Sequence, residues 1–133
     1  MMTHGPPMGV LDATYTGEHV GCEHLLRAAR RCKPRLHCFG HIHEGWGAQR
    51  VTWKGGEDLD VKAEDHIEES EDIQVNMEDA VESRAVGLDV SSECATPLDF
   101  GKDTLMVNAS IMTVTYKPWN SPWLVDLDLE QAE

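Results

Sequence analysis

The period of the apolar positions changes abruptly at Pro34. Before it, Glu18 to Lys33 places Cys22, Leu25, Leu26 and Ala29 at i, i+3, i+4 and i+7, which predicts one amphipathic helix ending just short of the proline. The charges agree: Glu18 and Glu23 lie near the positive helix start, while Arg27, Arg30, Arg31 and Lys33 crowd the negative end. After it, the apolar run Leu36 to Phe39 predicts a short buried strand, and Gln49 to Trp53 a second one beyond the glycine-rich turn Gly45 to Gly47. Leu105 to Asn108, Met112 to Tyr116 and Trp123 to Leu127 are apolar and rich in β-branched residues. Separated by turn residues such as Pro118, Asn120, Ser121 and Pro122, they predict strands of one antiparallel sheet. Asp126 and Asp128 alternate with Val125, Leu127 and Leu129, as solvent-facing carboxylates on an edge strand do.

The stretch between these groups has a different composition. The chain of 133 residues has a formal net charge of -13, and residues 57–103 carry all of that excess, with 16 acids against Lys62, Arg84 and Lys102. With few aromatics, residues 54–104 are expected to form a mobile acidic insertion, with at most a transient helix over Ala63 to Arg84. The rest of the chain is neutral, so it lacks the basic footprint that duplex nucleic acid requires. No run approaches the roughly 20 apolar residues of a membrane span, and the N-terminus has no signal-like core; a soluble cytoplasmic protein is expected. Cys22, Cys32, Cys38 and Cys94 have no Cys-x-x-Cys spacing and read as small buried thiols.

The chemistry lies in the histidines. Gly40-His41-Ile42-His43 ends the strand at Phe39, and in extended backbone His41 and His43 would share one side at about 6–7 Å separation. His4 sits in Thr3-His4-Gly5-Pro6-Pro7, where the chain must turn at once. His37, inside the strand, reads as a packed core residue; His19, His24 and His66 read as solvated side chains. Trp46, Trp119 and Trp123 suit either a pocket rim or packing between strands.

These motifs, with Val20-Gly21-Cys22-Glu23, Glu44-Gly45-Trp46-Gly47 and Val107-Asn108-Ala109-Ser110, resemble the C-terminal half of calcineurin-like metallophosphoesterases. The resemblance is to the small branch with His-Gly-Pro-Pro followed by Gly-His-Ile-His-Glu-Gly, and it spans residues 3 to about 50 and 105 to about 129. It implies an α/β (α+β) fold, the C-terminal part of a two-sheet sandwich flanked by helices, with an exposed sheet edge and an apolar surface where the partner sheet belongs. It also implies a centre of two divalent metals (manganese, iron, zinc or nickel), with His4 and His41 on one ion and His43 on the other. Thr3, Glu44 and Asn108 would lie behind the ligands or near the substrate, a phosphate ester or nucleotide. The family's Asp-x-His, Gly-Asp and Gly-Asn-His motifs do not occur here, so no catalytic residue is assigned. The expectation is a truncated or degenerate phosphoesterase, inactive alone, with a non-catalytic metal-binding, nucleotide-binding or interaction module as the alternative.

Overall fold

The computed structural model describes residues 1–129. Its centre is β5 (Asp103–Asn108), whose six residues are all buried. In the four-stranded sheet β5 runs parallel to β1 (Leu36–Phe39) and antiparallel to β2 (Gly47–Trp53), and β2 pairs in turn with β3 (Ile67–Asp72), giving the order β1-β5-β2-β3. A strand covered on both faces reads as a continuous apolar run because both sets of alternating side chains need cover. Met106 therefore joins Phe39, Val51 and Trp53 under Leu26 and Ala29 of helix α1 (Glu23–Cys32). Leu105 and Val107 join Ala48, Val90 and Leu98 on the other face. That second face is covered by a two-stranded parallel sheet, β4 (Val86–Asp89) with β6 (Trp123–Asp126). The architecture is a mixed α/β fold with two sheets and few helices, as expected.

The structure corrects several local expectations. Helix α1 starts at Glu23 rather than Glu18, because the backbone before it is engaged elsewhere: Val20 N–H bonds Asp12 C=O and Cys22 N–H bonds Pro6 C=O. Gly21 fixes that entry, since a Cβ there would lie 2.4 Å from the Pro7 carbonyl oxygen. Met112 to Tyr116 is a tight turn closed by the Met112–Pro118 bridge, not a strand; threonine hydroxyls at 113 and 115 bond each other locally. The expected single antiparallel sheet is likewise two sheets, because β6 finds its partner in β4, inside the acidic segment.

Regular structure is present within residues 54–104. β3 zips onto β2 through the backbone although residues 68–72 are exposed, four of them acids, and α2 (Met77–Ser83) is capped by Asn76, whose side chain accepts from the amides of Glu78 and Asp79. The helix foreseen over Ala63 to Arg84 is thus confined to seven residues. His66, expected in solvent, is buried: Arg30, itself buried, donates Nη1–H to its Nδ1 at 3.1 Å. Burial and the neighbouring guanidinium groups hold its pKa down. The thiols differ too, since Cys22 and Cys32 are exposed and Cys38 and Cys94 half-buried. Asp126 is exposed, whereas Asp128 accepts the Ser92 amide. Trp46 and Trp123 pack against each other with ring centroids 5.4 Å apart, and Trp119 stands in solvent.

His37 is the core residue its position predicted: fully buried, edge-on to Phe39, its Nε2 2.8 Å from Thr3 Oγ1. Burial, aided by the positive amino terminus, pushes its pKa down to about 4. An unfolded histidine titrates near 6.5, so below that pH the unfolded chain binds a proton that the native one refuses. Stability should therefore be full above pH 6.5 and fall by about 2–3 kcal/mol as pH drops toward 4. Urea unfolding across that range should show the slope, and His37→Gln should flatten it. Amide exchange should rank β5 slowest and the Gly55–Val61 stretch and α2 fastest; protection of α2 equal to that of β5 would instead make the acidic segment an integral part of the core.

Candidate metal centre

β1 and β5 end side by side, with Phe39 opposite Asn108, and the metal-ligand candidates leave from that end. The extended alternation expected for His41 and His43 does not occur. His41 has a left-handed backbone (φ 71°), and His43 opens a single 3₁₀ turn, His43–Gly45. The left-handed kink turns His41 away from the strand direction and onto His4: His4 Nε2 and His41 Nδ1 lie 3.0 Å apart, with ring centroids at 4.6 Å. His43 faces elsewhere. Its Nδ1 lies 3.0 Å from the carbonyl oxygen of Thr113, and its ring meets Tyr116 edge to face at 5.6 Å.

Two features of this arrangement fit metal binding. Ligands at about 2.0–2.1 Å from one ion lie roughly 3.0–3.4 Å from each other, so the His4 and His41 nitrogens stand at the spacing of neighbouring ligands on one ion. For His43, a carbonyl oxygen can only accept, so Nδ1 carries a proton, and in the neutral ring Nε2 is the nitrogen with the lone pair. A metal-binding histidine is oriented in just this way. The set is incomplete, however: no three His, Cys, Asp or Glu side chains gather into one metal-holding group among the described residues.

The residues expected behind the ligands have unequal roles. Asn108 is fully buried, and its Nδ2 donates to the carbonyls of Ile42 (2.8 Å) and Leu11 (3.1 Å), while its Oδ1 accepts the Ser110 amide. Ile42 separates the two histidines, so one amide group ties their loop to the loop at Leu11. Thr3 works on His37 and the Gly5 carbonyl. Glu44 Oε1 accepts the Tyr15 amide at 3.4 Å. Gly45 is required by the same junction, since a Cβ there would lie 2.0 Å from the Leu11 carbonyl oxygen.

Two features have no counterpart in the sequence reading. Buried Asp12 accepts the amides of Gly9 and Gly21 on Oδ2 and meets Nδ1 of exposed His19 at 2.6 Å on Oδ1, which staples the loop between Gly9 and Gly21. Tyr116 stands beside His43 in a backbone conformation unusual for a tyrosine. Neither has a spacing or motif that marks it, because both contacts join segments far apart in the chain or depend on a turn geometry that side-chain periodicity does not encode.

Removing the Asn108 amide strands two carbonyls and frees both loops. Asn108→Ala should cost about 1–3 kcal/mol in urea unfolding and weaken zinc binding about 10- to 100-fold. Gly45→Ala should do the same through the clash at Leu11, whereas Gly55→Ala, with open space around its Cβ, should be silent.

No family model matches the chain. Metallophosphoesterase domain-containing protein 1 of Homo sapiens is 33% identical over 129 residues, which is 96% of this chain and 24% of that protein. The UPF0046 protein T07D4.2 of Caenorhabditis elegans is 46% identical over 48 residues, 35% of this chain and 12% of the relative. A probable rhamnogalacturonate lyase C of Emericella nidulans shares 44% over 55 residues, 40% of this chain but only 5% of that protein. The chain thus spans about a quarter of the length of the first of these relatives. With a mixed α/β fold and identity along nearly its whole length, the chain is related to metallophosphoesterase-domain proteins, a class whose name implies divalent metal ions.

Proposed function

We propose that these residues supply the imidazole ligands of a two-metal phosphoesterase centre that hydrolyses a phosphomonoester or phosphodiester. The observation that carries the reading is the His4–His41 contact at 3.0 Å, made by a left-handed histidine. Such a backbone costs about 1–2 kcal/mol for a residue with a Cβ, and strain of this kind gathers at functional sites. His4 and His41 would hold one ion, and His43 would offer Nε2 to the other. Divalent ions held there would supply the positive charge that holds and polarises the phosphate.

The chain's own residues do the positioning. The Thr113 carbonyl accepts from His43 Nδ1–H, which fixes the ring's orientation and, in the neutral ring, selects the tautomer with Nε2 free for a metal. Asn108 fixes the spacing of the His41–His43 loop, and buried, neutral His37 fills the space behind Thr3 without adding charge. Three imidazoles divided between two ions leave both short of ligands, and carboxylates do not join them among the described residues. Turnover on this reading needs the bridging carboxylate and the remaining donors from further polypeptide.

The chain alone should bind zinc or manganese in calorimetry with modest affinity, reduced at least about tenfold by His41→Ala or His43→Ala. It should not hydrolyse bis-p-nitrophenyl phosphate. Fusion to the segment of an intact relative that carries the three other ligand motifs should yield metal-dependent turnover that His43→Ala removes. Turnover by the unfused chain would contradict the shared-ligand account. A fusion that binds metal yet stays inactive would favour a non-catalytic metal-binding module.

A further inference from the structure

The His43–Gly45 turn is gripped at adjacent residues by two hairpin turns of the same construction. One is closed by the Ala13–His19 bridge, the other by Met112–Pro118. Each begins Thr-x-Thr, with the two hydroxyls bonded at 2.8 Å in Thr14–Thr16 and 3.0 Å in Thr113–Thr115. In each the first threonine amide bonds the carbonyl four residues on, and its carbonyl accepts the amide three residues on. That third-residue position is left-handed in both, at φ 80° in Gly17 and φ 57° in Tyr116. The first hairpin holds Glu44 through the Tyr15 amide, and the second holds His43 through the Thr113 carbonyl.

The twin turns show what their geometry asks for: a glycine, which adopts this backbone without the Cβ clash that an L side chain suffers. Tyr116 bears that clash, yet its ring gains little cover, since the residue is 76% exposed while it meets His43 edge to face. A side chain that only propped His43 would be covered by its surroundings. The same loop also exposes Ile111, Val114 and Trp119. An exposed aromatic ring beside a candidate metal ligand, in a loop that exposes further apolar residues, suits a flat apolar ring and not a bare phosphate.

We propose that Tyr116 is a substrate-binding residue that receives the planar aromatic ring of a phosphate ester whose phosphate sits at the histidine centre. This assignment rests on the phosphoesterase reading and adds the substrate class to it. A simple aryl group and a nucleobase share the chemistry of a π-face, so the probes must include both.

The zinc-loaded chain is titrated with phenyl phosphate, adenosine monophosphate and inorganic phosphate, alongside Tyr116→Phe and Tyr116→Asn; asparagine tolerates the left-handed backbone but has no ring. Tyr116→Asn should weaken one or both ring-bearing ligands about three- to tenfold, leave inorganic phosphate and zinc unchanged, and differ from Tyr116→Phe, which keeps wild-type affinity. The ring that loses more identifies the ligand's source. Tyr116→Gly should melt no lower than the wild type, because it relieves the clash. Equal affinity of Tyr116→Asn for ring-bearing ligands, with zinc and phosphate still bound, overturns the assignment and leaves the metal reading standing. A clear fall in melting temperature for Tyr116→Gly also overturns it, since the ring would then be holding the turn. Failure of the wild type to bind zinc overturns the metal reading and this assignment with it.

Discussion

The candidate site depends on one side-chain amide. Asn108 ends the most buried strand of the protein and donates both Nδ2 hydrogens, one to Ile42 and one to Leu11, while its oxygen takes the Ser110 amide. A buried group so fully used leaves its partners little freedom, because releasing either carbonyl would strand a donor away from water. Rigid β5 therefore sets the position of two loops that have little secondary structure of their own. The His41–His43 loop is one of them, and the Leu11 loop, stapled by Asp12, is the other.

Strain is distributed accordingly. Among the described residues five non-glycine positions have positive φ, and two of them, Lys33 and Arg84, are helix C-caps, where this conformation is ordinary. The other three are Leu11, His41 and Tyr116, and all of them lie in loops that meet around the His43–Gly45 turn. At about 1–2 kcal/mol each, these positions offset several kcal/mol of packing. The helices and sheets carry almost none of it. Ordinary elements thus hold an irregular junction, which is how a rigid scaffold presents ligands on loops.

The sequence made the scaffold legible where local patterns decide it. Leu36 to Phe39, the strand ending at Trp53 and the strand ending at Asn108 were readable because an apolar run bounded by turn residues has few other uses. His37 was readable as core for the same reason. The start of α1 and the burial of His66 were not, because each depends on a partner distant in the chain: Pro6 and Asp12 for the first, Arg30 for the second. The turn at Tyr116 was not, because local threonine and backbone bonds close a segment whose β-branched residues read as a strand. β3 was hidden by composition, since acidic residues on a solvent face do not prevent a backbone ladder, and β4 was hidden as four residues within the same acidic segment. The three candidate ligands were named from motif alone. What the motif did not convey was the left-handed backbone at His41, which brings His41 onto His4 while His43 turns to Thr113.

The central claim is that the fold holds these imidazoles ready for metal, and their ring nitrogens report it directly. Nitrogen-15 NMR of the histidine side chains, recorded during a zinc titration, separates protonated from lone-pair nitrogens residue by residue. The account predicts His43 with its proton on Nδ1 before metal is added, and His4 Nε2 and His41 Nδ1 shifting together as zinc binds. A proton on His43 Nε2, or zinc shifts confined to His19, His24 and His66, would contradict it.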